Sequence, residues 1–142
     1  MKYTLLISLL MAATVSSAAI ERTIEITHHV DVDGTKTYYK TTDKILATSP
    51  VWRPGDGNPP LSIDAAVKSA TKWVSEKHPS FRFHNIACIS LGSIWDSDLK
   101  DRWHYTVSIN MKADVDGVQV NRFFHVIVLM NGEIVPPNVP EK

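Results

Sequence analysis

The sequence predicts an α+β fold: one main helix packed on a curved antiparallel sheet, with a β-hairpin at the N-terminal end. Residues 103–130 alternate apolar and polar side chains on either side of Asp116-Gly117, and the stretch 24–42 does the same on a smaller scale around Asp33-Gly34. Between them lies one apolar stripe of helical period, bounded by Ser62 and Pro79. Period two marks half-buried strands and period 3.6 an amphipathic helix, and a sheet wrapped over the helix is the simplest way to bury both.

Residues 1–19 read as a signal peptide. Lys2 supplies a positive start, and Leu5 to Val15 is apolar apart from Ser8 and Thr14, too short to span a bilayer. Ser16, Ser17, Ala18 and Ala19 give the small residues of a cleavage site, after Ala18 or Ala19. No cysteine follows, so lipid attachment is not expected. The chain from 20 to 142 is expected to be a single domain, periplasmic or secreted, with no membrane span after processing.

Leaving out Lys2, 14 basic side chains face 15 acidic ones, from totals of 15 and 15. No run of five like charges occurs, which gives no purchase for nucleic acid or anionic lipid. Cys88 is the sole cysteine, so no intramolecular disulfide forms, and its neighbours Ile86, Ala87 and Ile89 place the thiol in the core.

The elements follow in chain order. In region 20–48, Ile24, Ile26, His28 and Val30 alternate with Glu25, Thr27, His29 and Asp31. A two-residue turn at Asp33-Gly34 leads into Thr35–Thr42 and sets Asp31 opposite Lys36, His29 opposite Tyr38 and His28 opposite Tyr39. Residues 49–61 hold Pro50, Pro54, Pro59 and Pro60 with Gly55 and Gly57, a composition that excludes regular structure. Over 62–78, Ser62 is the N-cap, Asp64 suits the helix dipole, and Ile63, Ala66, Val67, Ala70, Trp73 and Val74 share a face.

Antiparallel strands are expected over 81–135. Phe81–Leu91 is rich in branched and aromatic residues. Closing the next hairpin at Asp116-Gly117 pairs Ile109 with Phe124, Val107 with Val126, Tyr105 with Val128 and Trp103 with Met130. Asn131-Gly132 then turns into a short edge strand, Glu133–Val135, ended by Pro136 and Pro137, with a frayed tail beyond. Asp-Val-Asp-Gly occurs at both hairpin turns. Neither copy is an EF-hand loop, because the first ligand position would be His29 or Lys112 and the twelfth Lys40 or Phe123. Shared turn chemistry explains the repeat better than duplication does.

Ala65, Ala66 and Ala70 in the helix, Tyr105-Thr106-Val107 in the middle strand, and His125 to Val135 running into Asn131-Gly132-Glu133-Ile134-Val135 resemble small exported domains of the PepSY type. A helix across a curved antiparallel sheet also resembles cystatin-like domains. Both resemblances imply binding or peptidase inhibition rather than catalysis. Pro79, the long Val118–Met130 strand and the proline-rich 49–61 segment depart from the PepSY pattern.

No catalytic residue, metal site or cofactor is predicted. His28 and His29 alternate to opposite faces, and His104 and His125, on one face, stand about 13 Å apart along the strands. Gly-x-Ser-x-Gly, His-Glu-x-x-His and phosphate-loop patterns do not occur. Asp96, Asp98 and Asp101 could hold calcium or simply form a solvated acidic loop. The favoured reading is an exported, non-catalytic domain that binds a protein or peptide, with an inhibitory role as a sub-case and a small hydrolase or metal-dependent enzyme as the rival. Candidate contacts are Trp52, His104, Ser108, Phe123 and His125, on the mixed apolar and polar outer face of the long hairpin and on the proline-rich loop.

Overall fold

A computed structural model describes residues 20–31 and 33–138; the expected signal peptide lies outside these residues. The elements are β1 (Thr23–Val30), β2 (Lys36–Thr42), α1 (Asp43–Thr48), α2 (Ile63–Lys77), β3 (Arg82–Ser93), β4 (Trp103–Val115), β5 (Val118–Leu129), β6 (Ile134–Val135) and β7 (Pro137–Asn138). No helix among the described residues is long and apolar enough to cross a membrane.

The expected fold class is corrected. The described residues are mostly β, 47% strand against 18% helix, in two antiparallel sheets, β1-β2-β7 and β3-β4-β5-β6, with two short helices. The physical reason lies at the end of β5, where Val126-Ile127-Val128-Leu129 and the following Met130 form an uninterrupted apolar run. Such a run needs cover on both faces, and one helix supplies only one. On one face, Ala66, Ala70 and Val74 of α2 pack with Tyr105, Val107, Ile109, Met111, Val126, Val128 and Met130. On the other, Ile24, Ile26 and Tyr39 of the three-stranded sheet, with Leu46 of α1 and Ile94, enclose Ile127, Leu129 and Val135.

The long hairpin holds the expected register, with Ile109 opposite Phe124, Val107 opposite Val126 and Tyr105 opposite Val128. Val115 and Val118 close a two-residue turn in which Asp116 (φ 52°) and Gly117 (φ 78°) both take the positive φ that a type I′ turn demands. α2 also starts where expected, the Ser62 hydroxyl accepting from the Ala65 amide at 3.2 Å.

The first hairpin is offset by one residue: Val30 faces Lys36, His29 faces Thr37 and His28 faces Tyr38. At this copy of Asp-Val-Asp-Gly, Gly34 alone of the Asp33-Gly34 pair has positive φ (83°), the Gly34 amide donates to Asp31 O at 2.9 Å, and Asp31 N donates to Thr35 O at 2.9 Å. This is a longer loop that returns to β2 through a left-handed glycine. A bulge between Glu25 and Thr27 rephases the strand again, so Ile24 and Ile26 point inward and His29 is half-buried. The tail is not frayed at 137–138, which pair with Tyr39 and Tyr38.

Cys88 is exposed, not in the core. β3 is the edge of its sheet and carries irregularities at Phe83/Asn85 and Ile86/Cys88. Ile86 and Ile89 still pack against the core, while Ala87 lies exposed in the second irregularity.

Candidate functional site

Where β5 emerges from between the two covering layers, a cleft of about 360 Å³ opens, lined by Asn121 to His125 of β5, by His29, Asp31, Thr37 and Tyr39 of the first hairpin region, and by Trp73 and His78 at the end of α2. The twist and termination of the layers create it: α2 ends at Lys77, and β6 covers β5 at Ile127 and Val128 alone.

Ser108 and His125 are cross-strand partners, and the Ser108 hydroxyl lies 2.9 Å from His125 Nδ1. The His29 ring stacks on His125 with centroids 3.8 Å apart, and His29 Nε2 is 3.5 Å from Asp31 Oδ1. Burial, reinforced by His29, lowers the His125 pKa below its ordinary value, with Asp31 opposing, which favours the uncharged imidazole. Tyr39 donates its hydroxyl to His125 O at 2.8 Å; burial, and secondarily Asp31, push that phenol up to about 12. On the α2 side, His78 and Phe81 both pack on the Phe124 ring, and the Arg122 guanidinium sits 5.5 Å over its face. Burial, then Arg122, lowers the His78 pKa.

Of the predicted contacts, the structure brings together Ser108, His125 and Phe123, the last 58% exposed. Beside Phe123, Asn110 keeps Oδ1 buried without a protein partner among the described residues.

His104 does not belong to this group. It is 5% exposed, its ring fills the space above Gly92, and burial lowers its pKa to about 4. Trp52 pins its loop: its indole N–H donates to Gly57 O at 3.2 Å and its ring meets Trp103 edge-on at 5.5 Å. Ile127 and Leu129, opposite Thr106 and His104 on the same face of the long hairpin, are fully buried under the first hairpin.

The loop aspartates are held by arginines. Arg22 Nη2 lies 3.2 Å from Asp98 and 3.7 Å from Asp96, and Arg53 Nη2 lies 2.7 Å from Asp101. Among the described residues, no group of three or more His, Cys, Asp or Glu could hold a metal ion.

Sequence reasoning missed His29, Tyr39, Trp73, His78 and Phe124 as site residues. The bulge that turns His29 inward has no local signature, whereas Trp73 and His78, at the C-terminal end of the helix stripe, were a usable signal. It also missed Trp95, 92% exposed on the loop after β3. The chain matches no protein family, no curated protein and no solved structure.

Proposed function

We propose that this chain is an exported, non-catalytic binding domain whose contact surface is the cleft along β5 and the adjoining outer face of Ser108, Asn110, Phe123 and His125. One observation carries the reading: Phe123 stands exposed beside a concave, aromatic-walled cleft that also offers hydrogen-bonding groups. Contact surfaces combine aromatic anchors with a few polar groups in this way. The leader-like residues 1–19 support export, and the PepSY resemblance of the α2, β4 and β5–β6 segments supports an inhibitory role within this class.

The Ser108–His125 hydrogen bond favours a second reading, a small hydrolase with Ser108 as nucleophile. Against it, β4 is a central strand whose backbone N–H groups are committed to β3 and β5, so they cannot stabilise an oxyanion beside Ser108. Two measurements separate the readings. The processed protein should capture a partner from its own extracytoplasmic fraction, and Phe123→Asp should abolish capture without changing the melting temperature. Labelling of Ser108 by a fluorophosphonate that His125→Ala prevents would replace binding with hydrolysis. Mass spectrometry of the exported protein should find a new N-terminus at Ala19 or Ile20.

A further inference from the structure

Resting on the binding reading above, we propose that the occupant of the cleft is an extended, apolar polypeptide segment that adds as a strand to the free edge of β5 between Gln119 and Phe123. The backbone argument starts at the turn. Val115 and Val118 close it as a hydrogen-bonded pair, and the ladder with β4 then runs without a bulge from Val118 to Leu129. In an antiparallel ladder such pairs alternate. Val118, Val120, Arg122, Phe124 and Val126 therefore direct their N–H and C=O groups to β4, and Gln119, Asn121, Phe123 and His125 direct theirs away. The Tyr39 hydroxyl on His125 O, at 2.8 Å, verifies that orientation.

β6 already occupies this same edge one step further on, pairing with Ile127 and Val128. It stops because Pro136 and Pro137 lack amide donors, and the chain crosses to β2, where Pro137 and Asn138 pair with Tyr39 and Tyr38. The line that would continue β6 toward Asn121 carries no strand among the described residues.

The surroundings choose the occupant. The edge is recessed between the first hairpin, with His29, Thr37 and Tyr39, and the end of α2, with Trp73 and His78. That recess is a concave cleft of about 360 Å³ rather than an open sheet edge. Side chains of an added strand alternate between the two walls, and both walls are aromatic: His29, His125 and Phe123 on one side, Trp73, His78 and Phe124 on the other. The opposite edge of the sheet, β3, is more open but carries two irregularities, the device by which edges resist pairing. Main-chain hydrogen bonds would supply affinity and the aromatic walls selectivity.

Heptapeptides displayed on phage and selected against residues 20–142 provide the probe. The expected result is a related set of apolar peptides without proline at the centre, whose binding slows exchange of the Asn121 and Phe123 amides. N-methylation at the peptide's central residue should weaken binding about tenfold, the loss of one well-made hydrogen bond. Asn121→Pro, which removes an outward N–H and leaves the β4 ladder intact, should do the same. If that variant fails to fold, the N-methylated peptide still decides. A selection without related binders, protection confined to β3, or indifference to N-methylation would overturn strand addition, as would self-association of the protein that protects the same amides. If Phe123→Asp abolishes capture of the natural partner while Asn121→Pro and N-methylation change nothing, the contact surface stands and strand addition falls.

Discussion

The two halves of β5 share one ladder and one register but opposite surroundings. Val126 to Leu129 are buried on both faces, whereas Val118 to Phe123 are exposed. Both halves carry apolar side chains, with Val118, Val120 and Phe123 in the outer one. Composition therefore does not decide the difference. Burial follows from what lies above each residue: α2 and the first hairpin both cover the inner half, and beside the outer half they stand only as the walls of the cleft.

Deleting core volume on each face in turn tests whether both layers cover the inner half. Ile109 faces α2 and Ile127 faces the first hairpin, both with no exposed surface. Ile109→Ala and Ile127→Ala should each cost about 2–5 kcal/mol in denaturant unfolding. A sheet packed on one face only would lose that much from a single one of them.

Acid acts on the covered half through His104, which lies opposite Leu129. Its pKa of about 4 when folded lies below the ordinary 6.5. Above pH 6.5 both folded and unfolded chains are neutral at this residue. As pH falls from 6.5 to 4 the unfolded chain takes up a proton that the folded one refuses, so stability declines across that window and levels off below it. The total is about 3 kcal/mol. Burial lowers His78 and His125 in the same direction, so the contribution of His104 is the part of the acid decline that His104→Leu removes.

Gly92→Ala should cost about 1–3 kcal/mol, because overfilled sites force neighbours to move. The added Cβ would stand 2.7 Å from His104 Cε1. Phe123→Ala should change unfolding free energy by less than about 0.5 kcal/mol, the ordinary range for an exposed position, while reducing peptide binding. A loss of stability at Phe123 comparable to that at Ile127 would mean the outer half is core as well.

Legibility in the sequence followed the same division. The β4–β5 register could be read because two local facts, alternation and a turn dipeptide with both residues at positive φ, agree on it. α2 was readable from its cap and stripe. The first hairpin was not, since the same four residues close a different turn there, and the composition around Cys88 points to the core although an irregularity in β3 turns the thiol outward. Within the site, Ser108 and His125 were placed side by side by the register alone, while the stacking of His29 on His125 depends on two separate sheets meeting.

By itself the sequence determined the local elements: the long hairpin and its facing pairs, the capped helix, the proline-rich loop and the prolines that end β6. These depend on interactions within a few residues or across one turn, where backbone sterics and side-chain period leave few choices. Tertiary structure decided that there are two sheets rather than one, that His104 and Trp52 serve packing, and that the edge of β5 lies open in an aromatic cleft. Those outcomes turn on how separate apolar surfaces cover one another, and no short stretch of chain encodes which surface arrives above it.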